Sequence, residues 1–174
     1  NSTELGTVYT KSELQGLSQT CKKLGLYFYL DGARLGSALT SKDSDITLAE
    51  LSALVDVFYI GGTKNGALLG EAIVINNPDL QKDFRYHLKQ RGALLAKGRA
   101  ISLQFHALFT DDLYCELARH ANRMAILLAE AITTSGYTFL TPPSTNQLFP
   151  ILPNTVIESL QKDYGFYVWE KGEN

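Results

Sequence analysis

Two ionisable residues in this chain stand where chemistry would use them. Asp31 ends the apolar run "LYFYL" and opens the turn "DGAR". Lys64 lies in "GGTKNG", between the apolar runs "VFYI" and "EAIVI", with Gly61, Gly62, Gly66 and Gly70 around it. Each has an ordinary explanation. An Asp-Gly turn uses the carboxylate for local hydrogen bonds, and Asn-Gly is a strong hairpin signal that would leave Lys64 as a solvated tip residue. Together they match one known chemistry. Pyridoxal 5'-phosphate needs a lysine amine to hold it and a carboxylate beside its pyridine nitrogen. A charge-assisted hydrogen bond from that nitrogen keeps it protonated and makes the ring a better electron sink. Glycines near the lysine would let backbone approach the ring with no Cβ in the way. A lysine can also sit in a hairpin and still point into a site, so the two readings are compatible.

The elements that must position this pair follow from periodicity and capping. Thr10 and Glu13 have capping-box spacing. Leu14, Leu17, Cys21 and Leu24 then share a helical face, and Gly25 closes the helix. "LYFYL" reads as a buried strand. Thr47 and Glu50 open a short helix carrying Leu48, Leu51, Leu54 and Val55, and "VFYI" is the next strand. Helix, strand, helix, strand is the order of a parallel α/β layer. "EAIVIN" follows too soon to be parallel and is expected to run antiparallel to "VFYI". Asp31 and Lys64 thus fall just past the C-terminal ends of neighbouring strands, the edge at which open α/β sheets bind ligands. From the Asn77-Pro78 cap to Ser135 nearly everything is helical: one helix with Leu80, Phe84, His87 and Leu88, then the glycine-broken "RGALLAKGRAISLQFHALF", then a long helix from Leu113 to Ala131 ending at Gly136. "YTFLTPPSTNQLFPILP", "TVIESLQKDYG" and "FYVWE" look like the start of a separate α+β unit.

Composition excludes several classes. The chain has 174 residues, enough for a substantial core, and a formal net charge of −2, which gives no electrostatic case for nucleic acid or an anionic membrane. No apolar run could span a bilayer and none resembles a secretory leader. Cys21 and Cys115 are far apart in sequence and read as reduced core thiols, so the expected compartment is the cytoplasm. His87, His106 and His120 lack metal-ligand spacing, and no metal is expected. Nothing resembles a serine-nucleophile motif, and the glycines before Lys64 are wrongly spaced for a P-loop.

"YFYLDGARLGSAL" followed by "VDVFYIGGTKNGALLGEAIVI" resembles the low-specificity threonine aldolases, within the aromatic amino acid β-eliminating lyase/threonine aldolase group of fold-type-I pyridoxal phosphate enzymes. "ELGTVYTKSEL", "RGALLAKGRAISLQF" and "STNQLFPILP" are similar to further parts of that family, so the resemblance covers most of the chain. It implies an α/β, fold-type-I transferase-like architecture. Residues 1–110 would be the C-terminal half of the cofactor domain's sheet with its helices. Residues 111–174 would be a connecting long helix and the beginning of a small α+β domain. The implied roles are a Schiff-base lysine for Lys64, a pyridine-nitrogen partner for Asp31, and a place near the cofactor's phenolic oxygen and the substrate carboxylate for Arg34. Thr63 would donate to the cofactor phosphate or fix the lysine loop. Lys97 and Arg99 match a basic segment that reaches an active site in the family dimer, although two solvated helix charges would look the same. A homodimer or homotetramer is implied, acting on a small amino acid.

The implied reaction is retro-aldol cleavage of L-threonine or L-allo-threonine to glycine and an aldehyde. Another fold-type-I enzyme, such as a β-eliminating lyase or an aminotransferase, would show the same Asp and Lys. A catalytically silent fragment is the third possibility. Family members are about twice this long, and this chain opens without Met on "NSTEL" and stops on "GEN". It is therefore expected to be part of a longer polypeptide, with the phosphate-binding segment and the ring-stacking side chain before it and a second carboxylate-binding arginine after it. Alone, it is expected to be inactive.

Overall fold

A computed structural model of the chain describes residues 4–172. Its first half is a helix-covered sheet. α1 (Lys11–Lys23) starts at the Thr10–Glu13 capping box and ends where Gly25 takes φ +65°. β1 (Tyr29–Leu30) follows, then α2 (Leu35–Leu39), α3 (Leu48–Leu54), β2 (Val57–Gly61) and β3 (Glu71–Ile75). β1 pairs parallel with β2, with Tyr29 opposite Val57 and Leu30 opposite Phe58. β2 pairs antiparallel with β3, with Phe58 opposite Val74 and Tyr59 opposite Ile73. The sheet order is β1-β2-β3. The parallel and antiparallel connections are those expected from their lengths.

β1 is shorter than the run "LYFYL". An aspartate side chain takes over from the ladder at its start: the Phe28 N–H donates to Asp56 Oδ2 at 2.7 Å and the Asp56 N–H to Phe28 O at 2.9 Å. The helical half differs more. Leu80 and Phe84 do not share one helix, because Asp83 takes φ +57° and separates α4 (Pro78–Gln81) from α5 (Phe84–Gln90). Gly92, at φ +70°, follows α5. After a turn come α6 (Arg99–Phe109), a 3-10 turn (Thr110–Asp112) and the long α7 (Leu113–Thr134), with Gly136 at φ +88° beyond it. Asn77 caps α4 through its side chain and Pro78 is its first residue. The tail forms β4 (Thr138–Phe139) and β5 (Pro150–Ile151), paired antiparallel, and α8 (Asn154–Leu160). "FYVWE" forms neither helix nor strand.

The two faces of the sheet are unlike. Phe58 and Ile60 point into a core with Leu14, Leu35, Leu51 and Tyr114. The alternate residues face the other way, and there Tyr29 and Ile73 are half exposed. On α1 the expected apolar face is covered only in part: Leu14 is buried, whereas Leu17 and Leu24 are exposed. Cys21 and Cys115 are half-buried free thiols. Among the described residues no helix is long and apolar enough to cross a membrane.

Candidate active site

The site is built where β1 and β2 end. Both ends carry glycine, and the reason is steric. The Gly61 N–H donates to Gly32 O at 2.9 Å. A Cβ on Gly32 would lie 1.6 Å from Tyr59 O, and one on Gly61 would lie 2.3 Å from Ala33 O. No side chain fits at either place. The two glycines let the turn after β1 press against the end of β2, which sets the Asp31 turn beside the Lys64 loop.

Asp31 follows β1 by one residue. Its Oδ1 accepts the Ala33 N–H at 3.0 Å, closing a local turn, and the Tyr59 hydroxyl at 2.5 Å. The Tyr59 bond holds the carboxyl below the usual aspartate range, the Ala33 N–H adds to this, burial opposes it, and the positive charge of Lys64 lowers it further. Burial, and then the bond to Asp31, push the Tyr59 phenol upward, so it stays protonated and remains a donor. Among the described residues both donors fall on Oδ1 and none on Oδ2.

Lys64 sits in a loop that is wider than a two-residue hairpin tip. β2 ends at Gly61 and β3 begins at Glu71. The Asn65 and Ala67 N–H groups donate to Gly62 O at 2.9 and 3.0 Å, and Gly66 and Gly70 take φ +107° and +89°. The loop is braced from three sides. Glu71 Oε2 accepts the Gly62 N–H at 2.7 Å, Asn65 Nδ2 donates to Tyr114 O at 2.8 Å, and the Leu68 N–H donates to Gln104 Oε1 of α6 at 2.6 Å. Thr63 and Lys64 are exposed on this braced loop, and the Thr63 hydroxyl makes a long 3.4 Å contact with Glu71 Oε1.

Beneath the loop Tyr114 of α7 is buried. Its hydroxyl accepts the Gly36 N–H at 3.2 Å and donates to Gly61 O at 3.0 Å, and burial pushes the phenol up to about 12. It therefore joins α7 to both α2 and the end of β2. One and two turns further along α7, Ala118 is buried against Gly36 and Asn122 Nδ2 donates to Ser37 O at 3.0 Å.

Of the residues expected to act, Asp31 and Lys64 are brought to one place, Thr63 lies beside Lys64, and Arg34 is half-buried in the Asp31 turn at the start of α2. Lys97 and Arg99 are exposed, Arg99 as the first residue of α6 and Lys97 two residues before it. Among the described residues no hydrogen bond or ion pair links either to Asp31 or Lys64, though Gln104 of the same helix does reach the loop. Tyr59, Glu71 and Tyr114 were not singled out in the sequence, and Asn65 only as half of the Asn-Gly turn signal. For Tyr59 a signal existed. Once β1 and β2 are parallel with Leu30 opposite Phe58, the next step places Asp31 against Tyr59.

A mixed sheet with helices packed on one face, and with an aspartate and a lysine at adjacent strand ends, is an α/β architecture with the topology of the fold-type-I class. The pattern of the beta-eliminating lyase family matches residues 1–154, and the chain belongs to that family. A low specificity L-threonine aldolase of Pseudomonas aeruginosa is 40% identical over 169 residues, covering 96% of this chain and 49% of that protein. One from a Pseudomonas species is 39% identical over 171 residues, with 96% and 49% covered. A solved structure of Leishmania major threonine aldolase superposes with a TM-score of 0.93 at 49% identity, over 96% of this chain and 49% of that one. The chain spans about half the length of the curated relatives it matches.

Proposed function

We propose that the polypeptide containing this chain is a pyridoxal 5'-phosphate-dependent aldehyde-lyase that cleaves L-threonine, L-allo-threonine and related β-hydroxy-α-amino acids to glycine and an aldehyde. The observation that carries this reading is the convergence of Asp31 and Lys64 at adjacent strand ends, in a chain similar along nearly its whole length to threonine aldolases. The residues present fit the cofactor. An ionised carboxylate has one oxygen used by Tyr59 and Ala33, and an amine is exposed on a braced loop beside it.

In this reading Lys64 holds the cofactor covalently and Asp31 keeps the proton on its pyridine nitrogen. The bound cofactor supplies an electron sink for the pair released when the Cα–Cβ bond breaks. Arg34 binds the substrate carboxylate, for which its planar fork is suited. Holding the carboxylate restricts rotation about the substrate's Cα and selects which bond is weakened. Thr63 either donates to the cofactor phosphate or fixes the lysine loop, and Glu71 supports the same loop through the Gly62 N–H. Lys97 and Arg99 serve a subunit interface near the cofactor of a homodimer or homotetramer. Residues 1–110 are taken as the C-terminal half of the cofactor domain and 111–174 as the connecting helix and the start of a small domain. The cytoplasm is the proposed compartment, in keeping with the two free thiols.

The test is product analysis with the intact polypeptide, threonine and pyridoxal phosphate. Glycine and acetaldehyde in equal amounts are expected, lost in Lys64→Ala together with the visible absorbance of lysine-bound cofactor. A 2-oxo acid without glycine would instead assign a β-eliminating or transaminating enzyme. Cofactor trapped by borohydride on Lys97 rather than Lys64 would overturn the site.

A further inference from the structure

Tyr59 stands on the open face of the sheet, on β2, with its ring 6.3 Å from that of Tyr29. Its 2.5 Å bond to Asp31 Oδ1 is at the short end for a hydroxyl on a carboxylate. The geometry around the bond is tightly determined. Tyr59 O is the atom that excludes any Cβ at Gly32, so the backbones of the donor and of the acceptor's turn are in contact. The Ala33 N–H reaches the same Oδ1 from within the turn. Oδ1 thus carries two donors from two segments, which fixes both the rotation of the carboxylate and which of its oxygens remains for a ligand.

We propose that Tyr59 is the positioning residue of the ring-nitrogen subsite: it holds Asp31 so that Oδ2 is left for the cofactor's pyridinium, and it weights the shared proton toward the nitrogen. The proposal rests on the reading of Asp31 as that nitrogen's partner. The physical reason is the competition for one proton. A pyridine nitrogen and a carboxylate share it, and a hydrogen bond donated to the carboxylate stabilises its ionised form. The proton is thereby left on the nitrogen, where it makes the ring a stronger electron sink. Ala33 supplies part of that stabilisation, and the Tyr59 hydroxyl supplies the larger part. The other titratable groups whose charges reach this pair, among the described residues, are Tyr29, Lys64 and Glu71. Lys64 favours ionised Asp31, and the tyrosine stays a donor because burial and the Asp31 charge both oppose its ionisation.

The test uses the intact polypeptide with Tyr59→Phe, Asp31→Asn and the double variant. Two readouts separate positioning from folding. One is the dissociation constant of pyridoxamine 5'-phosphate, an amine that cannot join Lys64 covalently and so reports the ring contacts. The other is the carbon-13 titration of the Asp31 carboxyl in cofactor-free protein. Tyr59→Phe should weaken pyridoxamine 5'-phosphate about 3- to 10-fold, part of what one hydrogen bond to a charged group is worth. It should raise the Asp31 titration and have little further effect once Asp31 is Asn. Unchanged binding in Asp31→Asn would remove the reading of Asp31, and the role of Tyr59 with it. Weakened binding in Asp31→Asn but not in Tyr59→Phe would overturn the Tyr59 role alone. So would an equal loss from Tyr59→Phe in both backgrounds. Should the Phe variant fail to fold, an ordinary aspartate titration for Asp31 in the unsubstituted protein has the same force.

Discussion

At the scale of single residues the site is a contrast between two charges. Asp31 is fixed by two hydrogen bonds, while Lys64 is exposed on a loop that is itself fixed. A carboxylate that must stay ionised beside a ring needs such donors, whereas an amine that must accept and release a cofactor needs access. Replacing Asp31 with Asn leaves an acceptor for Tyr59 but removes the charge proposed to support a pyridinium. A charge-assisted hydrogen bond is worth about 1.5–3 kcal/mol, so turnover in the intact enzyme should fall about 10- to 100-fold with the fold unchanged. Wild-type turnover in that variant, with a normal circular dichroism spectrum, would leave Asp31 only a turn residue. The sign of the pH effect follows from the same bonds. Asp31 titrates below its ordinary value, so the stability it contributes is present above the unfolded aspartate pKa and is lost as pH falls through the folded one. Tyr59→Phe should shift this acid limb of the denaturation curve upward. An unmoved limb would show that Tyr59 does not control the titration.

At the scale of elements the chain is legible where a signal is local and opaque where it is not. The Thr10–Glu13 and Thr47–Glu50 capping boxes are both formed, and in each the Glu side chain reaches back to the cap N–H, at 2.8 and 2.9 Å. Those helices were readable because each cap lies within four residues. The antiparallel return of β3 was readable because the connection is short. The break at Asp83 was not, since the apolar spacing of Leu80, Phe84 and Leu88 runs straight across it. Tyr114 was also hidden, because its partners Gly36 and Gly61 are 78 and 53 residues away. In the sequence it is one more apolar position on a long helix. Its hydroxyl now predicts a measurable effect. Tyr114→Phe leaves the buried Gly36 N–H without its acceptor, which costs about 1–3 kcal/mol. The denaturation midpoint of the intact protein should fall accordingly, and a midpoint within error of wild type would show that the Gly36 N–H finds another partner. Another long-range contact ties the two capped helices together. Lys11 Nζ pairs with Glu50 Oε1 at 2.7 Å, and that pair, with the cap bonds from Thr47, holds the Glu50 carboxyl at about 2. What Glu50 adds to the packing of α1 on α3 is therefore present above the ordinary glutamate pKa and lost as pH falls toward about 2. Hydrogen exchange at the start of α3 should quicken over that window in the wild type and much less in Glu50→Gln.

At the scale of the whole molecule the open face of the sheet decides what this chain can do alone. Tyr29 and Ile73 are half exposed on it, Leu68 on the lysine loop is 89% exposed, and Leu17 and Leu24 leave part of α1 uncovered. Among the described residues β1 is an edge strand with one side of its ladder unpaired. Exposed apolar area of this kind next to an open strand edge is covered in a stable protein, by more of the polypeptide or by another copy. The chain spans 49% of the aldolases it matches, and in the proposed function the cover and the remaining contacts to cofactor and substrate come from the rest of the polypeptide. Asp31 and Lys64 would then provide the covalent hold and the electron-sink partner, without the groups that fix the cofactor and substrate in place. Positioning accounts for roughly 7–11 kcal/mol of an enzymatic barrier, so losing most of it removes turnover even if Lys64 still captures the cofactor. Residues 1–174 expressed alone should accordingly bind 8-anilinonaphthalene sulfonate strongly, aggregate at micromolar concentration, and release no glycine from threonine with excess pyridoxal phosphate. Adding the remainder of the polypeptide as a separate chain should suppress the dye signal and restore cleavage. Glycine and acetaldehyde released by residues 1–174 alone, at a rate near that of an intact family enzyme, would show that the sheet and its two charged residues suffice.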